Sequence, residues 1–267
     1  MFPVIRFLGF TLPVGPLFAV LAFYIGSELG ARALGRVAPE QHREKWRELF
    51  NNASFIAAAV GLVGARLGYA AQYYPLYLAS PQLLLSIRPS TLALLPGLLA
   101  GGAAGLFYLN RKAISLAPIA DAVAIGATGA LAVLSLRNFL TGDDYGAPTD
   151  LPWGVNLWLA TRHPVQLYEM AFLLVVLVML WRYHPLAWPG ETFWLLIALY
   201  SFTELFVEAF RANFSTWFMG VRVVQVIALA MLLVALYVLS FYVRRHGREA
   251  IAIQQSATES VVKGEEA

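Results

Sequence analysis

Charge and cysteine are what this sequence is short of. Only 13% of its 267 residues are Asp, Glu, Lys or Arg, against about 25% in a typical soluble domain. Hydrophobic residues make up 59% of the chain and the mean hydropathy is +0.65. Those values exclude both an ordinary soluble protein and a disordered one. Cysteine is absent altogether, which excludes a disulfide framework, a thiolate metal site and a cysteine nucleophile. A net charge of +3, from 19 basic and 16 acidic residues, is too small an excess to argue for nucleic acid. The period-two alternation of an outer-membrane barrel is missing as well.

What remains is a set of long apolar runs. Seven segments, at 10–31, 52–73, 90–109, 114–135, 165–183, 192–210 and 221–243, are continuous enough to read as helices. The expectation is an all-α polytopic membrane protein of seven transmembrane helices. Residues 1–243 form the membrane domain, and 244–267 form a flexible tail. Strands are not expected. Pro3, Pro13 and Pro16 interrupt the first run and no small-residue cleavage site follows, so it reads as a retained helix and not a cleaved signal.

The basic residues set the orientation. With the N-terminus outside, the inner side holds Arg32, Arg36, Arg43, Lys45, Arg47, Arg111, Lys112, Arg182, Arg244, Arg245, Arg248 and Lys263. The outer side then holds Arg6, Arg88, Arg137, Arg162, Arg211 and Arg222. That asymmetry predicts an outside N-terminus and a cytoplasmic C-terminus. Segment 32–50 reads as a cytoplasmic helical arm, and 137–164 is the longest outer loop.

Ionisable residues at membrane depth are costly and point to function. Glu28, Arg66, Asp121, Glu169, Glu204 and Glu208 all fall there. Glu28 is close enough to a helix end to snorkel, and Asp121 is placed to cap or pair. Arg66 sits among Gly61, Gly64 and Gly68, where helices or a lipid headgroup could approach closely. Its fork suits either phosphate or an internal carboxylate such as Glu208. Glu204, Glu208 and Arg211 share a helix face, as a site or as a charge network closing the helices.

The stretch RNFLTGDDYGAPTDLPWG, Arg137–Gly154, followed by RHPVQLYE, Arg162–Glu169, is the most informative. It places Asn138, Asp143, Asp144, Arg162, His163 and Gln166 at the outer mouth. Gly142, Gly146 and Pro148 shape its turns. The alternate-position oxygens of an EF-hand are absent. His163, just before Pro164, is either a structural cap or a base.

At these residues the sequence resembles the prolipoprotein diacylglyceryl transferase family, bacterial inner-membrane enzymes of seven transmembrane helices. The pieces that carry the resemblance are GARLGY at 64–69, NFLTGDDYGAPTDLPWG at 138–154, RHPVQLYE at 162–169 and YSFTELFVEAFR at 200–211, with Gln225 near the last helix. The resemblance implies transfer of diacylglyceryl from phosphatidylglycerol to the lipobox cysteine of a prolipoprotein, with no metal or cofactor. It implies lipid phosphate and glycerol contacts from Arg66, Asn138, Gly146 and Arg162, with Arg137 standing in for a family arginine two positions earlier. Asp143 and Glu208 would take catalytic roles, with His163 standing in for a family histidine, and the prolipoprotein signal peptide and membrane lipids would be the partners.

The sequence departs from the family at several points. Leu95 stands where the family has a histidine, and Ser135 and Glu204 where it has arginines. Thr141 replaces an asparagine, Asp143 a glutamate and Val14 a tyrosine. Family members use that histidine and both arginines for headgroup binding and catalysis. Two readings therefore stand: a divergent transferase, with Arg137, Arg162, Arg211 or Arg222 compensating and His163 as base, or a non-catalytic relative. The relative would bind anionic phospholipid or serve as a subunit of a membrane complex, its glycine-rich faces at 97–105 and 126–129 docking other helices. A small transporter would call for an inverted repeat, and none is visible.

Overall fold

The computed structural model describes residues 4–7, 10–85, 89–186, 188–217 and 220–265. Pro3 and Arg88, and the side chains of Arg6, Arg248 and Lys263, lie outside the described residues. A short antiparallel hairpin comes first, β1 (Val4–Phe7) and β2 (Phe10–Pro13), with Val4 opposite Pro13 and Phe7 opposite Phe10. This corrects two expectations, that the first helix starts at 10 and that no strands occur. Proline tolerates only the first turn of a helix, where its missing N–H costs nothing. Pro16 occupies that turn of α1 (Val14–Val37), and Pro13 is left in the strand.

A 3₁₀ turn at Glu40–His42 leads into α2 (Arg43–Gln72) and the short α3 (Tyr74–Ala79). Then follow α4 (Leu94–Asn110) and α5 (Leu116–Thr141). A second small hairpin, β3 (Val155–Leu157) and β4 (Ala160–Arg162), interrupts the long loop. The chain continues through α6 (Val165–Tyr183), α7 (Glu191–Val207) with a closing 3₁₀ turn at Glu208–Phe210, and α8 (Val223–Glu265). Residues 244–265, read above as tail, continue α8.

Among the described residues, 6 helices are long and apolar enough to cross a membrane. The expected seventh, Leu94–Asn110, is apolar but has 17 residues. At 1.5 Å per residue that is roughly 26 Å, slightly short of a hydrocarbon core of about 30 Å. Outward faces are apolar too: Leu98, Leu233 and Tyr237 are all more than half exposed. A soluble fold would bury such side chains, whereas lipid solvates them.

The chain divides into two compact units, Phe23–Ala127 and Met1–Ala22 with Thr128–Ala267. In the first, α2 packs along α4 through facing glycines. A Cβ added at Gly97 would stand 2.8 Å from the Ala65 Cβ and 3.0 Å from the Gly61 carbonyl, and one at Gly101 would strike the Ala57 carbonyl. Gly126 of α5 meets the Gly26 carbonyl of α1 in the same way. Lipid supplies no hydrophobic drive between helices, so close backbone approach through small residues takes its place. Of the two readings of Gly61, Gly64 and Gly68, as room for a helix or for a headgroup, the helix describes the geometry: Gly97, Ala100 and Pro96 of α4 cover them. In the second unit α7 packs between α6 and α8.

Gly101→Leu is expected to destabilise the protein by about 1–3 kcal/mol, because overpacking forces the two helices apart. Gly102→Leu, where an added Cβ meets nothing within 4 Å, should leave thermal unfolding in detergent unchanged.

Candidate functional site

One arginine of the second unit gathers four acidic side chains. α7 ends at Val207, the turn Glu208–Phe210 follows, and Arg211 emerges in extended backbone. Its Nε lies 3.1 Å from a Glu208 oxygen, and Nη2 lies 3.4 Å from Glu169 and 4.0 Å from Glu204. Nη1 lies 3.5 Å from Asp144. The Arg211, Glu169 and Glu204 side chains are almost buried, and that of Glu208 is only 2% exposed. Burial alone would pull the Arg211 pKa down, but Glu169, Glu204, Asp144 and Glu208 more than offset it and push it up. Arg211 is thus a fixed cation, and the charge-network reading of Glu204, Glu208 and Arg211 describes the geometry. The Glu208–Arg211 contact is an ion pair without hydrogen-bond alignment, since Glu208 Oε1 and Arg211 Nε are buried without hydrogen-bond partners. Arg222 closes the cluster from beyond, donating to the Glu208 and Arg211 carbonyls and stacking 3.8 Å from the Phe214 ring centre.

The end of α5 supplies the next layer. Arg137 donates to Asn138 Oδ1 at 2.9 Å and lies 3.6 Å from the Asp143 carboxylate. Asn138 donates to Asp144 Oδ2 at 2.8 Å, which ties this layer to Arg211. Both Gly142 and Asp143 donate their backbone N–H to the Asn138 carbonyl. Gly142 has φ 80° and Asp144 φ 52°. Glycine adopts that left-handed turn without strain and aspartate tolerates it. The turn points Asp144 inward and leaves Asp143 exposed, where it accepts from Thr141 Oγ1 at 2.9 Å. Gln166 of α6 donates to the Asp143 carbonyl at 2.6 Å. Val14 is fully buried, and a Cβ at the neighbouring Gly15 would lie 3.6 Å from the Arg137 guanidinium.

Arg162 lies at the end of β4 and is committed to backbone. It donates to the Leu157 carbonyl at 3.0 Å and the Gly146 carbonyl at 3.2 Å, and stacks on Tyr145. Gly146 is buried and bridges Arg211, and any side chain there would strike the His163 carbonyl. His163 Nδ1 is 3.4 Å from the Tyr168 hydroxyl, which also accepts from Trp153 Nε1 at 2.8 Å. His163 and Tyr168 stand on the wall of an apolar cleft of about 550 Å³, with Leu151, Trp153, Ala171, Phe172, Val175, Phe206 and Phe210. The cleft is joined covalently to the charge network at Phe210–Arg211 and to the backbone-bound Arg162 at Arg162–His163.

Arg66 belongs to the other unit. Its Nε donates to the Leu84 carbonyl at 3.1 Å, Nη1 to the Thr91 carbonyl at 3.0 Å and to the Thr91 hydroxyl, and Nη2 to the Leu83 carbonyl. The guanidinium also stacks 5.4 Å from the Tyr77 ring centre. It therefore pins the irregular segment between α3 and α4 to α2. Leu95 is exposed and Asp121 is buried. The structure brings Arg137, Asn138, Asp143, Gly146, Arg162, His163 and Glu208 into one unit. Asp144, Glu169 and Arg211 form the centre of the network; the sequence named all three, but gave Asp144 and Glu169 no catalytic or binding role and Arg211 only a compensating one. Glu204 and Glu208 are its neighbours in sequence, whereas bringing Glu169 and Asp144 to it, and choosing Asp144 over Asp143, needed the tertiary structure. Among the described residues no group of three or more His, Asp or Glu could hold a metal ion.

The long apolar helices define a multi-pass membrane protein, in which a charge network stands beside an apolar cleft. The prolipoprotein diacylglyceryl transferase family model matches residues 3–241, and the chain belongs to that family. It is 32% identical over 180 residues to the phosphatidylglycerol–prolipoprotein diacylglyceryl transferase of Clostridioides difficile, covering 67% of this chain and 72% of that one. It is 30% identical to the proteins of the same name from Roseobacter denitrificans, over 72% of this chain and 73% of the relative, and from Corynebacterium efficiens, over 77% and 71%.

Replacing Arg211 by Gln would leave several buried carboxylates without their shared cation, at a cost of about 3–5 kcal/mol. Thermal unfolding in detergent should show a large loss for Arg211→Gln and a smaller one for Arg211→Lys, which keeps the charge but not the fork.

Proposed function

We propose that the protein transfers the diacylglyceryl group of phosphatidylglycerol to the cysteine of a prolipoprotein. The thiol sulfur attacks the terminal glyceryl carbon, the bond from that carbon to the phosphate oxygen breaks, and glycerol phosphate departs with the electron pair. The observation that carries this reading is the junction of an apolar cleft with a polar network at residues 162–163 and 210–211. A diacyl lipid has that division, with chains for the cleft and a phosphate and glycerol for the polar side.

Each side chain has a role that follows from its surroundings. Tyr168 holds Nδ1 of His163, leaving Nε2 to take the thiol proton. A neutral thiol is a poor nucleophile, so that proton must move as the sulfur attacks. Arg137, at the end of α5 and only partly neutralised by the exposed Asp143, is the cation for the lipid phosphate. Asn138 is oriented by Arg137 and Asp144 to meet glycerol oxygens. Asp143 orients Arg137. Arg162, Gly146 and Glu208 shape the site through the backbone and through Arg211. Arg66 acts at a remove, by holding the 83–91 segment.

The protein spans the cytoplasmic membrane seven times, counting Leu94–Asn110 as the shortest span, with the N-terminus outside and the C-terminus inside. The prolipoprotein signal peptide is its second substrate. The distribution of basic residues supports this orientation.

Purified protein incubated with phosphatidylglycerol liposomes and a lipobox peptide should add the diacylglyceryl mass to the peptide. No mass gain from folded protein would sink the reading and leave a non-catalytic lipid-binding relative. His163→Ala and Asn138→Ala should each slow transfer on the order of 10²-fold. Asp143→Asn, which removes only an exposed partner of Arg137, should slow it less.

A further inference from the structure

The turn from α1 into α2 holds a second concave site, within the unit Phe23–Ala127. A cleft of about 420 Å³ is lined by Arg32, Gly35, Arg36, Arg43 and Arg47. Among the described residues no carboxylate lines it. From outside the lining, Glu28 pairs with Arg32 at 2.5 Å and with Arg47 at 3.4 Å, and Glu44 pairs with Arg47 at 2.9 Å. Arg36 and Arg43 are exposed. Gly35 is buried at the floor, where a Cβ would stand 2.7 Å from Cγ of Arg47 and 3.4 Å from Cγ of Arg43. The missing side chain thus lets two arginine stems cross α1 and converge.

Depth adds a second constraint. α1 has 24 residues, so it extends roughly 36 Å at 1.5 Å per residue, against a hydrocarbon core of about 30 Å. Its last turns therefore stand at the level of lipid headgroups. Guanidinium forks match phosphate oxygens two at a time, and they keep their charge at any physiological pH. Several forks around one concavity make a phosphate site, whereas scattered surface arginines would make only a diffuse attraction.

We propose that this cleft binds the phosphate of an anionic phospholipid headgroup in the leaflet at the α1–α2 turn. Occupancy would clamp α1 to α2 at that end, because Arg36 comes from one helix and Arg43 from the other. The site is independent of the transfer reaction and of the lipid that donates to it.

Phosphatidylserine is a suitable probe, since it carries the phosphate without being the proposed donor. Native mass spectrometry of the full chain from mixed micelles should show one tightly retained phosphatidylserine. The double variant R36Q/R43Q should bind it on the order of tenfold more weakly. R43E should bind more weakly still, and it keeps the fold because an acid suits the first turn of a helix. R111Q/K112Q removes two basic residues from another turn and should bind as the parent does. Equal retention by the parent and R36Q/R43Q, or an equal loss in R111Q/K112Q, would overturn the proposal. Millimolar inorganic phosphate should not displace the lipid. Displacement by phosphate alone would assign the cleft to a soluble phosphate and overturn the lipid assignment.

Discussion

The second unit is organised around one guanidinium. Arg211 faces Asp144 from the loop, Glu169 from α6, and Glu204 and Glu208 from the end of α7. The three glutamates sit on, or just after, helices that are otherwise largely apolar. Without a common cation, their mutual repulsion and desolvation would drive these elements apart or force protons onto them. With it, four pieces of chain meet at one point. Arg211 also stands at the backbone bridge to Gly146, so charge and hydrogen bonding fix the same junction.

That junction explains why the site combines unlike surfaces. Phe210 lines the cleft and the next residue carries the charge, and His163 and Arg162 repeat the arrangement where β4 ends. Neighbouring residues can thus serve lipid chains on one side and headgroup oxygens on the other. Gly146 has to be a glycine because the His163 carbonyl occupies the space of a side chain. The departures from the family fit this organisation. Ser135 is buried beside Glu169, and Glu204 is a member of the carboxylate ring. The polar centre is consistent in itself, although its charges are distributed differently from those the family resemblance implies.

The Phe23–Ala127 unit solves a separate problem, that of packing helices where water supplies no drive. Facing glycines let α2 and α4 approach until carbonyls and Cα atoms touch. Arg66 then closes the irregular segment after α3 by satisfying carbonyls that lipid would leave bare. The residue that looked most like a ligand for phosphate is thus held by backbone, while four arginines near the α1–α2 turn line a cleft.

Much of this was legible in the sequence, because the relevant physics is one-dimensional. Apolar runs of membrane length specify helices whatever surrounds them, and the placement of Pro, Gly and charge marks their ends. Pro16 already argued against a helix starting at 10, where it would be the seventh residue and past the first turn, whereas the two small hairpins were not legible, since short strands leave no periodic signal. The order of motifs pointed to the family and to most residues now found in one unit. Which aspartate turns inward, what the Arg66 fork holds and which arginine sits among the carboxylates were decided only by tertiary structure. Each depends on the left-handed turn at Asp144, on Leu84 and Thr91 brought to Arg66 of α2, or on α6, the end of α7 and the loop after α5 meeting. Sequence spacing sets which residues are available, but distances between distant segments set which charges are neutralised.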